Sequence, residues 1–115
     1  MYDENNIFAK IIRGDLPCVK VYEDENFLFI NDIKPATKIH VLGIPKMPYF
    51  DFYDFVSNNS SEKIADFYKK TNMVIKKIGI KDSGFRIITN SGVDGNQEVP
   101  HFHIHILGGE KVGPL

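Results

Sequence analysis

Apolar residues along this chain fall into short runs, and their spacing switches between the helical and the extended repeat. Ile7, Phe8, Ile11 and Ile12 return one turn apart and predict a short amphipathic helix. Asn5 or Asn6 can cap its start, and Gly14 is placed to end it. Residues 19–23 alternate and are β-branched, which predicts a strand. The turn Asp24-Glu25-Asn26 leads into residues 27–31, a more continuously apolar strand, so the two form a hairpin. Pro35 makes a loop of residues 32–37, and residues 39–44 are a third strand closed by Pro45. The aromatic stretch 47–56 reads as a loop or short helix over the edge of the core. Ile64, Phe67, Thr71, Val74, Ile75 and Ile78 mark one face of a long helix, with Asn59 and Glu62 at capping-box spacing and Gly79 as its stop. Residues 85–90 are a fourth strand. A loop of about nine residues follows, long enough to carry function, and residues 101–107 form the last strand.

These elements predict one α+β domain, residues 1–115, with an antiparallel sheet of about five strands, one long helix and one short helix. A lone sheet of this size leaves open edges, which gives a physical motive for pairing with a second copy. The long helix and the strand before His101 are the expected seam.

Composition narrows the partners. Hydrophobic residues make up 43% and charged residues 25%, as in ordinary globular domains. The net charge of −1 gives no case for binding long nucleic acid, though a small anion remains possible. No apolar run is long enough to span a bilayer, and the N-terminus is polar and acidic rather than a signal peptide. The single cysteine, Cys18, excludes an intrachain disulfide, so the expected location is the cytoplasm.

The candidate chemistry sits in the last strand. His101, His103 and His105 occupy alternate positions, with Phe102, Ile104 and Ile106 between them. Alternation puts the three imidazoles on one face and the apolar residues on the other. Three readings compete: a half-polar surface strand, a metal site of neutral imidazoles, and acid–base or nucleophilic work on an anion. The third gains weight because the chain has only four histidines and three are here. The fourth, His40, reads alone as a semi-buried polar residue. The glycines of the loop 91–99 permit backbone amides to face an anion, a weak signal by itself.

The run His101-Phe102-His103-Ile104-His105-Ile106-Leu107 fits the signature of the histidine triad family. With Gly108-Gly109, Asn90-Ser91-Gly92, Asp94-Gly95, Gln97-Glu98-Val99, Asp32-Ile33-Lys34-Pro35, His40, Ile44-Pro45-Lys46 and Ile7-Phe8-Ala9-Lys10-Ile11-Ile12, the chain resembles the Hint branch, in its bacterial form, nearly end to end. The resemblance implies a HIT-like fold whose sheet continues across a homodimer. It also implies a purine nucleoside phosphoramidase, which cleaves the P–N bond of nucleoside 5′-monophosphoramidates through a nucleotidyl-histidine to release AMP or GMP. No cofactor or metal is implied.

By position, His103 matches the nucleophile, His101 and His105 its flanking members, and His40 the supporting histidine. His101 is expected to orient the triad with His40 behind it, and protonated His105 to supply the leaving group's proton. Asn90, Gln97 and Val99 match positions that hold phosphate or ribose. Asp32 and Ile33 match the ribose site, and Ile7, Phe8, Ile11 and Leu16 the surroundings of the base. Glu98 stands where animal relatives carry serine, Asn96 replaces a usual glycine, and the tail after Gly109 is short and lacks tryptophan. The alternatives are a dinucleoside polyphosphate hydrolase of the same superfamily, a non-catalytic nucleotide-binding dimer, and a zinc protein.

Overall fold

The structure is a computed structural model, and it describes all of residues 1–115. Its elements are α1 (Ile7–Ile12), β1 (Lys20–Glu23), β2 (Phe27–Asn31), β3 (Ile39–Pro45), α2 (Phe52–Ser57), α3 (Ser61–Lys77), β4 (Phe85–Ile88) and β5 (Ile104–Gly108). The five strands form one sheet in the order β1-β2-β3-β5-β4, and every neighbouring pair is antiparallel. No helix is long and apolar enough to cross a membrane.

The continuous apolar run of β2 has a simple cause: the strand is buried on both faces. Phe27 and Phe29 enter a core shared with Phe67, Val74 and Ile75 of α3. Leu28 and Ile30 enter a second core with Phe8 of α1. β5 divides the same way, with Ile104 and Ile106 on the α3 side. The intervening positions therefore fall on the α1 side, where the candidate site lies. Gly43 lets the α3-side core close: a Cβ there would lie 2.7 Å from the Phe29 ring and 3.0 Å from Ile104 Cγ1.

Asn6 is the cap of α1, accepting from Ala9 N at 2.9 Å. The stretch 47–56 contains a second short helix, α2, capped by Asp51. Phe55 of α2 stacks on Phe102 at 4.8 Å and packs edge-on against Phe67 at 5.4 Å.

Two expectations need correction. The cap of α3 is Ser60, whose side chain accepts from Lys63 N, rather than Asn59. Asn59 is drawn away because it accepts from the Tyr49 hydroxyl and donates to Phe55 O. The last strand begins at Ile104, three residues later than its alternation suggests. Pairing with β3 stops at the partners Gly43 and Ile104. Beyond that point the chain is held by other contacts: Phe102 N donates to Tyr49 O at 2.8 Å, and the Thr89 hydroxyl donates to His103 O at 2.7 Å. Pro45 has no N–H to extend the ladder, and its carbonyl accepts from a histidine ring instead.

Candidate active site

Three of the four imidazoles are brought together ring to ring. His103 and His105 have centroids 5.0 Å apart, and His105 lies 5.1 Å from His40 of β3. Phe8 of α1 meets the His103 ring edge-on at 4.7 Å. His101 sits deeper, 1% exposed, with Phe8 at 6.4 Å.

Hydrogen bonds to backbone groups fix which nitrogen carries each proton, because a carbonyl only accepts and an amide N–H only donates. His103 Nδ1 lies 2.7 Å from His101 O, so Nδ1 is the protonated nitrogen. The lone pair of neutral His103 is therefore on Nε2. His101 Nε2 lies 2.7 Å from Pro45 O and must donate. Its Nδ1 then accepts from the Tyr2 hydroxyl, which itself accepts from Asn6 Nδ2 at 2.8 Å. On the other side, Ala36 N donates to His40 Nδ1 at 3.0 Å, so neutral His40 is protonated on Nε2. That nitrogen donates to His105 Nδ1 at 2.9 Å, which leaves the His105 proton on Nε2.

This wiring revises the expected division of labour. His40 stands behind His105, not behind His101. Tyr2 stands behind His101, a role the sequence did not suggest. The only signal was an aromatic residue within a polar terminal stretch.

Burial favours neutral rings throughout. Loss of water, only partly offset by hydrogen bonds to Pro45 O and His101 O, pushes His101 and His103 down to about 4. Burial also lowers His40 and His105. The nearby Asp32 carboxylate opposes both shifts, while His40 adds to the lowering of His105. In the free protein at pH 7, His105 is thus neutral rather than protonated.

A cleft of about 710 Å³ opens beside these rings. Ile7, Phe8, Ile11 and Leu16 form its apolar end, and Asp32 and Ile33 line it beside His40, His103 and His105. Asn90, Asn96, Glu98 and Val99 line it from the loop after β4. Asn90 Nδ2 donates to Gly95 O at 2.8 Å, and its second hydrogen is left for another acceptor. Gln97 is the exception among the expected residues. It lies outside the cleft lining and serves as a strut, donating to Phe50 O and Val99 O and accepting from Gly92 N. The amides of Gly92, Asn96 and Gln97 are turned inward onto the loop itself.

Asp32, His40 and His105 place possible ligand atoms within 4.8 Å of one another. The donor set nevertheless suits a metal poorly. Ala36 N–H occupies His40 Nδ1, so the proton sits on the nitrogen a metal would need. The two histidines form a hydrogen-bonded pair, and Asp32 Oδ2 lies 3.4 Å from His40 Nε2 as a nearby charge.

This geometry agrees with comparison to known proteins. The HIT domain model matches residues 13–112, and the chain belongs to that family. An uncharacterized 13.2 kDa HIT-like protein of Azospirillum brasilense is 44% identical over 114 residues, covering 99% of this chain and 93% of the relative. Two solved structures share the fold. A HIT family hydrolase from Clostridium thermocellum is 40% identical with a TM-score of 0.84, over 98% of this chain and 97% of that one. A histidine triad protein from Clostridium difficile is 37% identical with a TM-score of 0.89, over 100% and 99%.

Proposed function

We propose that this protein is a nucleoside phosphoramidase of the Hint type, hydrolysing purine nucleoside 5′-phosphoramidates through a nucleotide covalently held on His103. The observation that carries this reading is the bond from His103 Nδ1–H to His101 O. It leaves Nε2 as an unprotonated nucleophile on a ring that burial keeps neutral. Further support comes from the similarity to a protein described as a HIT family hydrolase.

In the first step His103 Nε2 attacks the α-phosphorus, a P–N(His) bond forms, and the P–N bond to the amine breaks with its electron pair leaving on nitrogen. That nitrogen needs a proton. His105, whose Nε2–H is set by His40, is the donor. As the anionic substrate binds, His105 takes a proton from water on Nδ1, the bond from His40 opening as it does, and Asp32 balances the charge. The Nε2–H then passes to the amine and His105 returns to neutral. In the second step water attacks phosphorus, the P–N(His) bond breaks, and the nucleoside monophosphate leaves. Asn90 and the backbone at Val99 hold the non-bridging oxygens. The apolar end of the cleft takes the base, and Asp32 and Ile33 flank the ribose.

The reading includes a homodimer in which the sheet continues through β4. This is an edge strand, and its Phe85 and Ile87 are about two-fifths exposed.

Incubation with adenosine 5′-phosphoramidate labelled at phosphorus tests the proposal. Wild-type protein should release AMP and, after rapid acid-free quenching, carry label on one histidine. His103→Ala should bind AMP but neither turn over nor take up label. Near-normal turnover by that variant would remove His103 as nucleophile.

A further inference from the structure

The triad's innermost ring spends both of its nitrogens on the protein itself. His101 gives its Nε2–H to Pro45 O at the end of β3 and receives a hydrogen bond at Nδ1 from Tyr2. Tyr2 precedes α1, and its ring is wedged between His101 at 5.7 Å and Phe50 at 5.8 Å, edge-on to both. Its hydroxyl is oriented in turn by Asn6 Nδ2, which also donates to Asp3 O. The side chain of Asn6 thus has two tasks, because its oxygen caps α1. A short chain of bonds therefore runs Asn6, Tyr2, His101 ring, and then, through the peptide carbonyl of His101, to His103 Nδ1.

We infer that Tyr2 is a positioning residue for the nucleophile: its hydroxyl locks the buried His101 so that the carbonyl of His101 holds His103 in the attacking tautomer. This rests on the reading of His103 given above. Tyr2 touches neither substrate nor the reacting atoms, and it acts only through His101. Removing the hydroxyl orphans Nδ1 of a ring 1% exposed. A buried acceptor without a partner is costly, and the ring can relieve this only by shifting away from Pro45 O. The peptide after His101 then keeps one remaining anchor, the bond from Phe102 N to Tyr49 O. A second anchor of this kind implies a partial loss rather than an abolished reaction.

The test is nitrogen-15 NMR of the imidazoles joined to steady-state kinetics on adenosine 5′-phosphoramidate. In Tyr2→Phe, His101 Nδ1 should move toward the position of an unbonded imine nitrogen, and His103 should show exchange between its two tautomers. With it, kcat should fall about threefold to tenfold while KM changes less than about twofold, since the lost contact bears on the reacting geometry and not on binding. Should Tyr2→Phe fold poorly, 3-fluorotyrosine at position 2 keeps shape and hydroxyl but donates more strongly. It should move the His101 signal in the opposite direction and leave His103 as a single tautomer. His103 signals unmoved by Tyr2→Phe, a His101 signal that ignores the fluorinated variant, or an unchanged kcat would overturn the inference. If wild-type protein cleaves no phosphoramidate, the reaction reading fails separately, and the ring signals alone decide the role of Tyr2.

Discussion

His40 donates through Nε2 to His105 Nδ1 across 2.9 Å, and the amide of Ala36 makes that the only direction in which the bond can run. A residue from β3 thereby sets which nitrogen of a β5 residue faces the cleft as a donor. His40→Ala should leave His105 free to exchange tautomers while the cleft keeps its shape. We expect kcat to fall about 10- to 100-fold on a phosphoramidate with a poor leaving amine, with KM changed less than about threefold. A leaving group that needs no proton should lose much less. Equal losses on both substrates would show that His40 does not act through His105.

The buried rings also make stability depend on pH. His101 and His103 are held near 4, below the ordinary histidine value of 6.5. Between those values the unfolded chain binds more protons than the folded one, so stability rises with pH across this window. Their contribution is fully present above 6.5 and is lost as pH falls through about 4, on the order of 3 kcal/mol for each ring. Urea unfolding at pH 7, 5.5 and 4.5 should give a falling midpoint, and His103→Gln should flatten the slope. A midpoint constant over this range would contradict the burial assigned to the two rings.

The fold was legible in the sequence wherever one physical signal dominated. The period of α3, the hairpin turn at Asp24 and the doubly buried run of β2 correspond to elements with large apolar faces. The alternation of the histidine segment located the site and sorted Phe102, Ile104 and Ile106 into the α3-side core. Alternation did not reveal where pairing stops, because that depends on Pro45 of another strand lacking a donor. The cap of α3 was missed by one residue, since Asn59 and Ser60 both qualify and a contact with Tyr49 decides between them. Gln97 and Tyr2 illustrate the same limit. One turned out to brace a loop and the other to bond a ring 99 positions away, and neither partner is marked in the local sequence.

Gly43 tests the packing beneath the site. An added methyl at this position would meet the Phe29 ring at 2.7 Å and Ile104 Cγ1 at 3.0 Å, both buried core residues that would have to shift. Gly43→Ala should destabilise the fold by about 1–3 kcal/mol, the usual cost of overpacking. AMP affinity should change little, because the clash lies on the α3 face and the cleft on the other. Chemical denaturation and calorimetric titration of AMP check the two halves separately.

The outer edge of β4 offers a test of assembly. Phe85 and Ile87 are partly exposed on a strand with no neighbour on one side. A charge on such an edge opposes strand pairing. Ile87→Lys should convert the proposed dimer to monomer at micromolar concentration in sedimentation velocity while leaving the circular dichroism of the monomer unchanged. Wild-type protein that sediments as a monomer would remove the sheet-extending dimer.

Glu98 presents a carboxylate to a cleft proposed to receive an anion. A negative group beside a phosphoryl site repels the substrate unless it meets a positive part of it, and the part that extends past the phosphorus is the leaving amine. Glu98 should therefore favour substrates whose leaving group bears a cation. The residue is exposed, so the pairing is worth only about 0.2–1 kcal/mol, or a factor of up to about five. Glu98→Gln should lower kcat/KM by about two- to fivefold for a phosphoramidate of a diamine and should raise or leave unchanged the value for a neutral alkylamine. Added salt should shrink the wild-type preference in the same direction, since an exposed ion pair is screened. If the mutation moves both substrates equally, Glu98 shapes the loop rather than reading the leaving group.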